Sequence, residues 1–204
     1  MKKSLIAAGA ASVALAAMPV LGTFADVVDT VEITISSACG VNSDTESTPG
    51  TGQTFTANMT NNDVHTWAAD GTGGELYVTC NDASGWNVTA QGYSNDTAGT
   101  TTMVVTQGSG TAIPTGANPA AGTSAWAFNI ADSNTQATIV SGYSSANDNW
   151  AQIPATATRV AHKSGTAVSE GLIYTGYKVS TSATQQAATY TGKVKYVVSA
   201  GVGS

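Results

Sequence analysis

The feature that most constrains the fold is a repeated alternation of apolar and polar residues in short segments rich in Val, Ile and Thr. Val31, Ile33 and Ile35 alternate with polar residues, and the same period of two occurs at 76–80 and 126–130. A period of two places successive side chains on opposite faces of a strand. No segment shows the sustained 3.6-residue period of a helix, so the pattern predicts an all-β protein.

Turns rich in Gly, Asn, Asp and Ser separate about ten short strands in this pattern. The longest late strands are expected at 172–179 and 190–198, and 75–92 is expected to form a hairpin. Strands that each bury one face pack as two sheets over a common core. We therefore expect one domain over 26–204, an immunoglobulin-like antiparallel β-sandwich.

The first 25 residues have the layout of a secretory signal peptide. Lys2 and Lys3 are followed by an Ala-rich apolar stretch, and the small residues Thr23 and Ala25 precede a cleavage site after Ala25. The predicted domains are therefore a signal peptide at 1–25 and a mature chain without a membrane span. We expect that mature chain to be secreted and to associate with the cell surface through non-covalent contacts.

The chain has two cysteines, Cys39 and Cys80. Export brings them into an oxidising environment, where an even number of cysteines favours a disulfide. A metal site would need further ligands, and the two histidines, His65 and His162, form no ligand pair at helical or hairpin spacing. We expect one disulfide between Cys39 and Cys80, and no metal or other cofactor.

Charge and motif content exclude several classes of function. The chain has 7 Lys and Arg against 13 Asp and Glu, a net charge of -6, which makes nucleic acids and anionic membranes poor partners. There is no Gly-x-Ser-x-Gly motif and no obvious pair of converging carboxylates. The Asx-rich clusters at 132–136 and 147–149 are typical of turns and lack the Gly and Glu of a helical calcium loop. We expect no catalytic residues and no enzymatic activity.

Three motifs occur in a characteristic order. The first motif, at 33–39, is a predicted strand that ends in the first cysteine. The second, at 76–90, is a predicted strand that ends in the second cysteine, followed by a turn and a strand with a Trp-x-Val sequence. The third, at 186–198, is a predicted strand with a Thr-Tyr sequence and, further on, a Val-x-Tyr sequence. This order resembles the secreted two-cysteine β-sandwich subunits of bacterial surfaces, the pilin-like and spore-coat-protein-U-like domains. The resemblance implies a non-enzymatic structural subunit that assembles with itself or with other surface proteins.

The expected assembly strand is the segment 26–36, because terminal strands are the easiest to exchange between subunits. Its apolar residues at alternate positions are Val27, Val31, Ile33 and Ile35. Pairing through such a strand would add its backbone to a sheet edge of another subunit.

The alternative is an extracellular binding module for cell-wall polymer or host glycan. Two Trp-x-apolar motifs, at Trp86 and Trp126, give a weaker resemblance to Trp-x-Leu-type cell-wall-binding domains. Both tryptophans lie in alternating segments, so we expect them in the core. Trp150 lies in a polar loop, and we expect it to be exposed as a ligand contact.

Overall fold

The structure is a computed structural model that describes residues 39–43, 55–70, 73–80, 82–94, 97–132, 134, 137–165 and 171–201. The expected signal peptide lies outside the described residues. So does the expected assembly strand, with Val27, Val31, Ile33 and Ile35.

The described part of the chain contains twelve β-strands and one short 3-10 helix, and no α-helix. The prediction of an all-β protein is confirmed. The strands are β1 Cys39–Ser43, β2 Val64–Trp67, β3 Gly74–Cys80, β4 Gly85–Ser94, β5 Thr97–Ala98, β6 Val104–Gly108, β7 Ala125–Asp132, β8 Thr138–Ile139, β9 Thr158–Ser164, β10 Gly171–Ser180, β11 Ala188–Thr191 and β12 Lys193–Ala200, and the 3-10 helix is Ala146–Asp148.

Two five-stranded antiparallel sheets and one two-stranded ribbon are formed. In the first sheet, β7 pairs with one edge of β10, and β3 and β2 pair with successive parts of its other edge. β1 pairs with β3. The second sheet has the order β12-β4-β9-β8, and β5 pairs with β4. The ribbon joins β6 to β11. The predicted antiparallel sheets are confirmed.

The predicted hairpin over 75–92 is wrong, although both of its strands exist. β3 belongs to the first sheet and β4 to the second, so the chain crosses between sheets at 82–84. Within that turn the Ser84 N–H donates to Asp82 Oδ1 at 2.9 Å. The turn residues mark the end of β3 correctly, but β4 pairs within the other sheet, and its Trp86 belongs to the core cluster.

A hydrophobic cluster of described residues takes side chains from both large sheets. Trp86, Val88 and Phe128 are 0% exposed, and Trp126 is 5% exposed. The prediction that Trp86 and Trp126 lie in the core is therefore confirmed. Burial of these large side chains is the main favourable contribution to folding, at roughly 25 cal/mol per Å² of apolar surface.

A disulfide joins Cys39 to Cys80. The two residues are direct cross-strand partners in the β1–β3 pair, and Cys80 is 4% exposed. The bond therefore fastens the short strand β1 to the first sheet at the end where the chain enters it.

The strand predicted at 190–198 is divided at Gly192 into β11 and β12. A Cβ atom at Gly192 would lie 2.8 Å from the Trp126 ring and 2.9 Å from the Met103 side chain, so the chain passes these residues too closely for any side chain. In β12 the expected alternation is present, with Val194 half-buried and Lys195 exposed.

Candidate functional site

The described residues enclose an apolar cavity of about 390 Å³ beside the core. We call it the aromatic cavity. Its apolar lining comprises Phe55, Trp67, Met103, Trp126, Tyr177, Val179 and Val194, and its polar lining includes Thr191, Lys178 and Lys193.

Pairing of β2 with β10 builds one wall of the aromatic cavity. Trp67 and Tyr177 are cross-strand partners, so their side chains lie on the same face of the sheet. Phe55 packs against both rings, with ring centroids 5.9 Å from Trp67 and 5.2 Å from Tyr177. Phe55 comes from the extended segment 55–60, in which half-buried and exposed residues alternate.

The polar atoms of two lining rings are already hydrogen-bonded within the protein. The Trp126 indole N–H donates to the Thr101 carbonyl oxygen at 2.8 Å. The Tyr177 and Tyr196 hydroxyls lie 3.0 Å apart and link β10 of the first sheet to β12 of the second. These two rings therefore present mainly apolar surface to the cavity.

Both tyrosines in this link have altered acidity. Burial, which removes water from around the phenolate, raises the pKa of Tyr177. Burial also raises the pKa of Tyr196 well above its ordinary value, and the adjacent Tyr177 hydroxyl adds to the effect. Both phenols are therefore neutral at physiological pH, and one donates to the other.

A second groove of about 620 Å³ continues from the aromatic cavity and shares Trp67, Met103 and Val179 with it. Its outer wall is formed by 56–61 and 185–191. In this wall the Tyr190 hydroxyl donates to the Gln186 carbonyl oxygen at 2.7 Å.

A polar hollow of about 580 Å³ lies near the 3-10 helix. We define it by Asn118, Ser144, Asn147, Asp148, Asn149 and Lys178. The Lys178 ammonium lies 3.6 Å from Asp148 Oδ2 and 5.4 Å from the ring centroid of Trp150. The hollow therefore offers amide, hydroxyl and carboxylate groups around one paired cation.

The prediction that Trp150 is an exposed ligand contact is wrong, because its side chain is only 3% exposed. The indole N–H donates to Asp148 Oδ1 at 2.6 Å, and Lys178 lies over the ring. Asp148 accepts the indole N–H and Lys178 of β10 lies over the ring, so the polar character of the loop sequence does not make the indole exposed.

The described residues bear on two further points from the sequence, the place of His65 and the possibility of a metal site. His65 packs edge-on against Trp67, with ring centroids 4.5 Å apart. Among the described residues, no three His, Cys, Asp or Glu side chains converge in a way that could hold a metal ion.

β12 is the terminal strand of the second sheet in the described part of the chain. Its inner edge pairs with β4. β1 approaches β12 from the first sheet, but the described residues form no ladder between them. Val197 of β12 is 45% exposed, and Lys195 lies 5.5 Å from the ring centroid of Tyr93.

Sequence reasoning missed the aromatic cavity. Phe55 alternates with polar residues in the sequence, but this pattern does not show which rings it meets. That depends on β2 pairing with β10, more than one hundred residues later in the chain.

The chain has no significant match among known protein families, curated proteins or solved structures. Within the described residues, no helix is both long and apolar enough to cross a membrane.

Proposed function

We propose that this protein is a secreted, non-enzymatic structural subunit of a cell surface or appendage, and that it assembles with other subunits through β-strand contacts. The fold proposed with it is an immunoglobulin-like β-sandwich. The observation that carries the proposal is β12, a terminal strand whose outer edge forms no ladder among the described strands and which exposes Val197. An open edge with an apolar side chain invites pairing with another strand.

The proposed incoming strand is the segment 26–36 of a neighbouring copy. Its residues Ile33 and Ile35 alternate with polar ones, as Val194 and Tyr196 alternate with exposed lysines in β12. A strand added beside β12 would direct its isoleucines toward the half-buried face. Glu32, on the opposite face of the same strand, would then meet the lysine side of β12, which favours one register.

Charge reversal tests this pairing. We expect a chain covering 26–204 to form larger species in light scattering as concentration rises, and a chain that begins at Ser37 to stay monomeric. Lys195→Glu should weaken assembly of the longer chain by roughly three- to tenfold, as expected for one cross-strand ion pair and its reversal. Adding Glu32→Lys to Lys195→Glu should restore it. Full assembly of the shorter chain, or no rescue by the double reversal, would contradict the proposed strand.

A binding module for cell-wall polymer or host glycan is the second candidate, and the polar hollow favours it. Sugar hydroxyls are recognised by amide, hydroxyl and carboxylate groups of the kind that line the hollow. Sedimentation with purified cell-wall polymer distinguishes the two candidates. If the 26–204 chain stays monomeric but sediments with the polymer, and Asn147→Ala with Asn149→Ala abolishes that binding, the binding module replaces the structural subunit.

A further inference from the structure

We propose that the aromatic cavity binds a small amphipathic anion, a molecule with an apolar acyl or aryl body and a carboxylate or similar head. This inference goes beyond the structural role, because it concerns a cavity inside one subunit. The volume of about 390 Å³ lies within the ~300–1,000 Å³ typical of small-molecule sites. A lining made largely of aromatic and aliphatic side chains with a few polar groups is also typical of such sites.

The lining selects an apolar body for the ligand. The Trp126 indole N–H and the Tyr177 hydroxyl are both paired within the protein, so neither offers a free donor to a polar body. Phe55, Met103 and Val194 add further apolar surface. A polar group placed deep in the cavity would lose its hydrogen bonds to water without full replacement, which is unfavourable.

The charged residues of the lining select an anionic head. Both are lysines, Lys178 and Lys193, and no acidic residue is found among the described residues that line the cavity. The Lys178 ammonium is paired with Asp148 and lies over Trp150, at the polar hollow, so the preference for an anionic head depends on Lys193. Lys193 belongs to β12 and is exposed, so it can reach a head group that stays at the solvent side of the cavity. A cationic head would be repelled by the same residue.

The cavity carries its own reporters, because both Trp67 and Trp126 line it. Binding of a ligand that displaces water from these rings should change their fluorescence. The other two tryptophans, Trp86 and Trp150, are buried and do not line the cavity, so their fluorescence should change less.

The test is titration of the 26–204 chain with a series from hexanoate to dodecanoate and with 1-naphthoate, each below its micelle concentration. Tryptophan fluorescence and calorimetry provide the two readouts. We expect at least one of these anions to bind saturably with one site per chain, and the trimethylammonium compound of the same chain length to bind at least tenfold more weakly. Phe55→Ala should weaken binding, because it removes one wall of the cavity.

Lys193→Gln and Lys195→Gln form a matched pair on the same strand. We expect Lys193→Gln to weaken anion binding about tenfold, since it removes one charged contact, and Lys195→Gln to leave it unchanged, since Lys195 does not line the cavity. Thermal melting confirms that each variant is folded. The proposal is overturned if none of the anions binds saturably, if the cationic compound binds as well as the anion, or if both glutamine variants lose affinity equally.

Discussion

The link between Tyr177 and Tyr196 shows how a single pair of atoms can join the two sheets. Burial removes water from around both hydroxyls, which bond to each other, and Tyr177 has a further side-chain hydrogen bond with Thr175. A buried hydroxyl without a partner is unfavourable by about 1–3 kcal/mol, which exceeds the net gain from most single hydrogen bonds. Removing one hydroxyl of the pair is therefore expected to cost more stability than the hydrogen bond itself contributes.

A double-mutant cycle measures this link. Tyr177→Phe leaves the Tyr196 hydroxyl without its partner, and we expect it to lower the free energy of unfolding by about 1–3 kcal/mol. Adding Tyr196→Phe removes the orphaned group, so the double variant should be more stable than the sum of the single changes indicates. Urea denaturation at pH 7 gives the four values. Strict additivity would mean that the two hydroxyls do not interact.

The same pair predicts a loss of stability in alkaline solution. Both tyrosines have a pKa above the ordinary value of 10.0 in the folded protein. Their contribution is fully present below about pH 10, where the unfolded chain is also protonated, and it falls as the pH rises toward the folded pKa, because only the unfolded phenols ionise. The urea midpoint should fall as the pH rises from about 10 toward the folded pKa values. It should fall less in the double phenylalanine variant, and an equal fall would place the titrating groups elsewhere.

Residue burial was predictable where the local pattern carries the information. Trp86 and Trp126 stand at apolar positions of alternating segments, so their place in the core follows from the period of two. Trp150 has polar neighbours, and only the folded chain brings Lys178 over its ring. A linear pattern cannot reveal a cover supplied by a strand about thirty residues away.

At the scale of elements, the entry into β4 depends on a glycine. Gly85 has φ +99°, and a Cβ atom there would lie 1.9 Å from the Lys163 carbonyl oxygen on β9. Gly85→Ala is therefore expected to destabilise the protein by roughly 3 kcal/mol or more, through backbone strain and separation of β4 from β9.

Gly165→Ala is the matched control for this prediction. Gly165 also has a positive φ, +87°, but apart from its chain neighbours no described residue lies within 4 Å of the added Cβ. This variant should lose only about 1 kcal/mol, the cost of the left-handed conformation alone. Chemical denaturation of both variants separates crowding from strain, and equal losses would mean that the close approach of β9 has no effect.

The elements also show the limit of turn signals. Turn residues predicted the end of β3 and the start of β4. They do not indicate whether a strand pairs with the strand before it or joins the other sheet. The break at Gly192 is a similar case, since its cause is the proximity of Trp126 and Met103. Strand existence depends on local pattern, whereas pairing depends on the burial that distant partners offer.

At the scale of the whole molecule, the aromatic cavity also depends on distant partners and not on local sequence pattern. Its aromatic walls come from 55–60, β2, β7 and β10, which are widely spaced in the sequence. The all-β class and the antiparallel sheets followed from alternation and turns. The cavity did not, because it exists only where several strands leave space between their side chains, and that space has no linear signature.

The disulfide is expected to act on the whole chain, because it closes a loop with a sequence separation of 41. Loop-closure entropy gives a stabilisation of about 4 kcal/mol for a loop of this size. That is a large part of the ~5–15 kcal/mol typical of a folded domain. The Cys39→Ala, Cys80→Ala double variant should therefore unfold at clearly lower urea concentration and temperature than the oxidised protein. It should match the reduced wild-type protein within about 1 kcal/mol and should not respond to reductant.

Protease digestion adds a local test of the same bond. Among the described strands, β1 pairs with β3 alone, so loss of the disulfide should free it before the remaining sheets unfold. We expect early cleavage near 39–43 in the double alanine variant and none there in the oxidised protein. If denaturation midpoints and cleavage sites are the same with and without the bond, the first sheet holds β1 by strand pairing and packing, and the disulfide contributes little to stability.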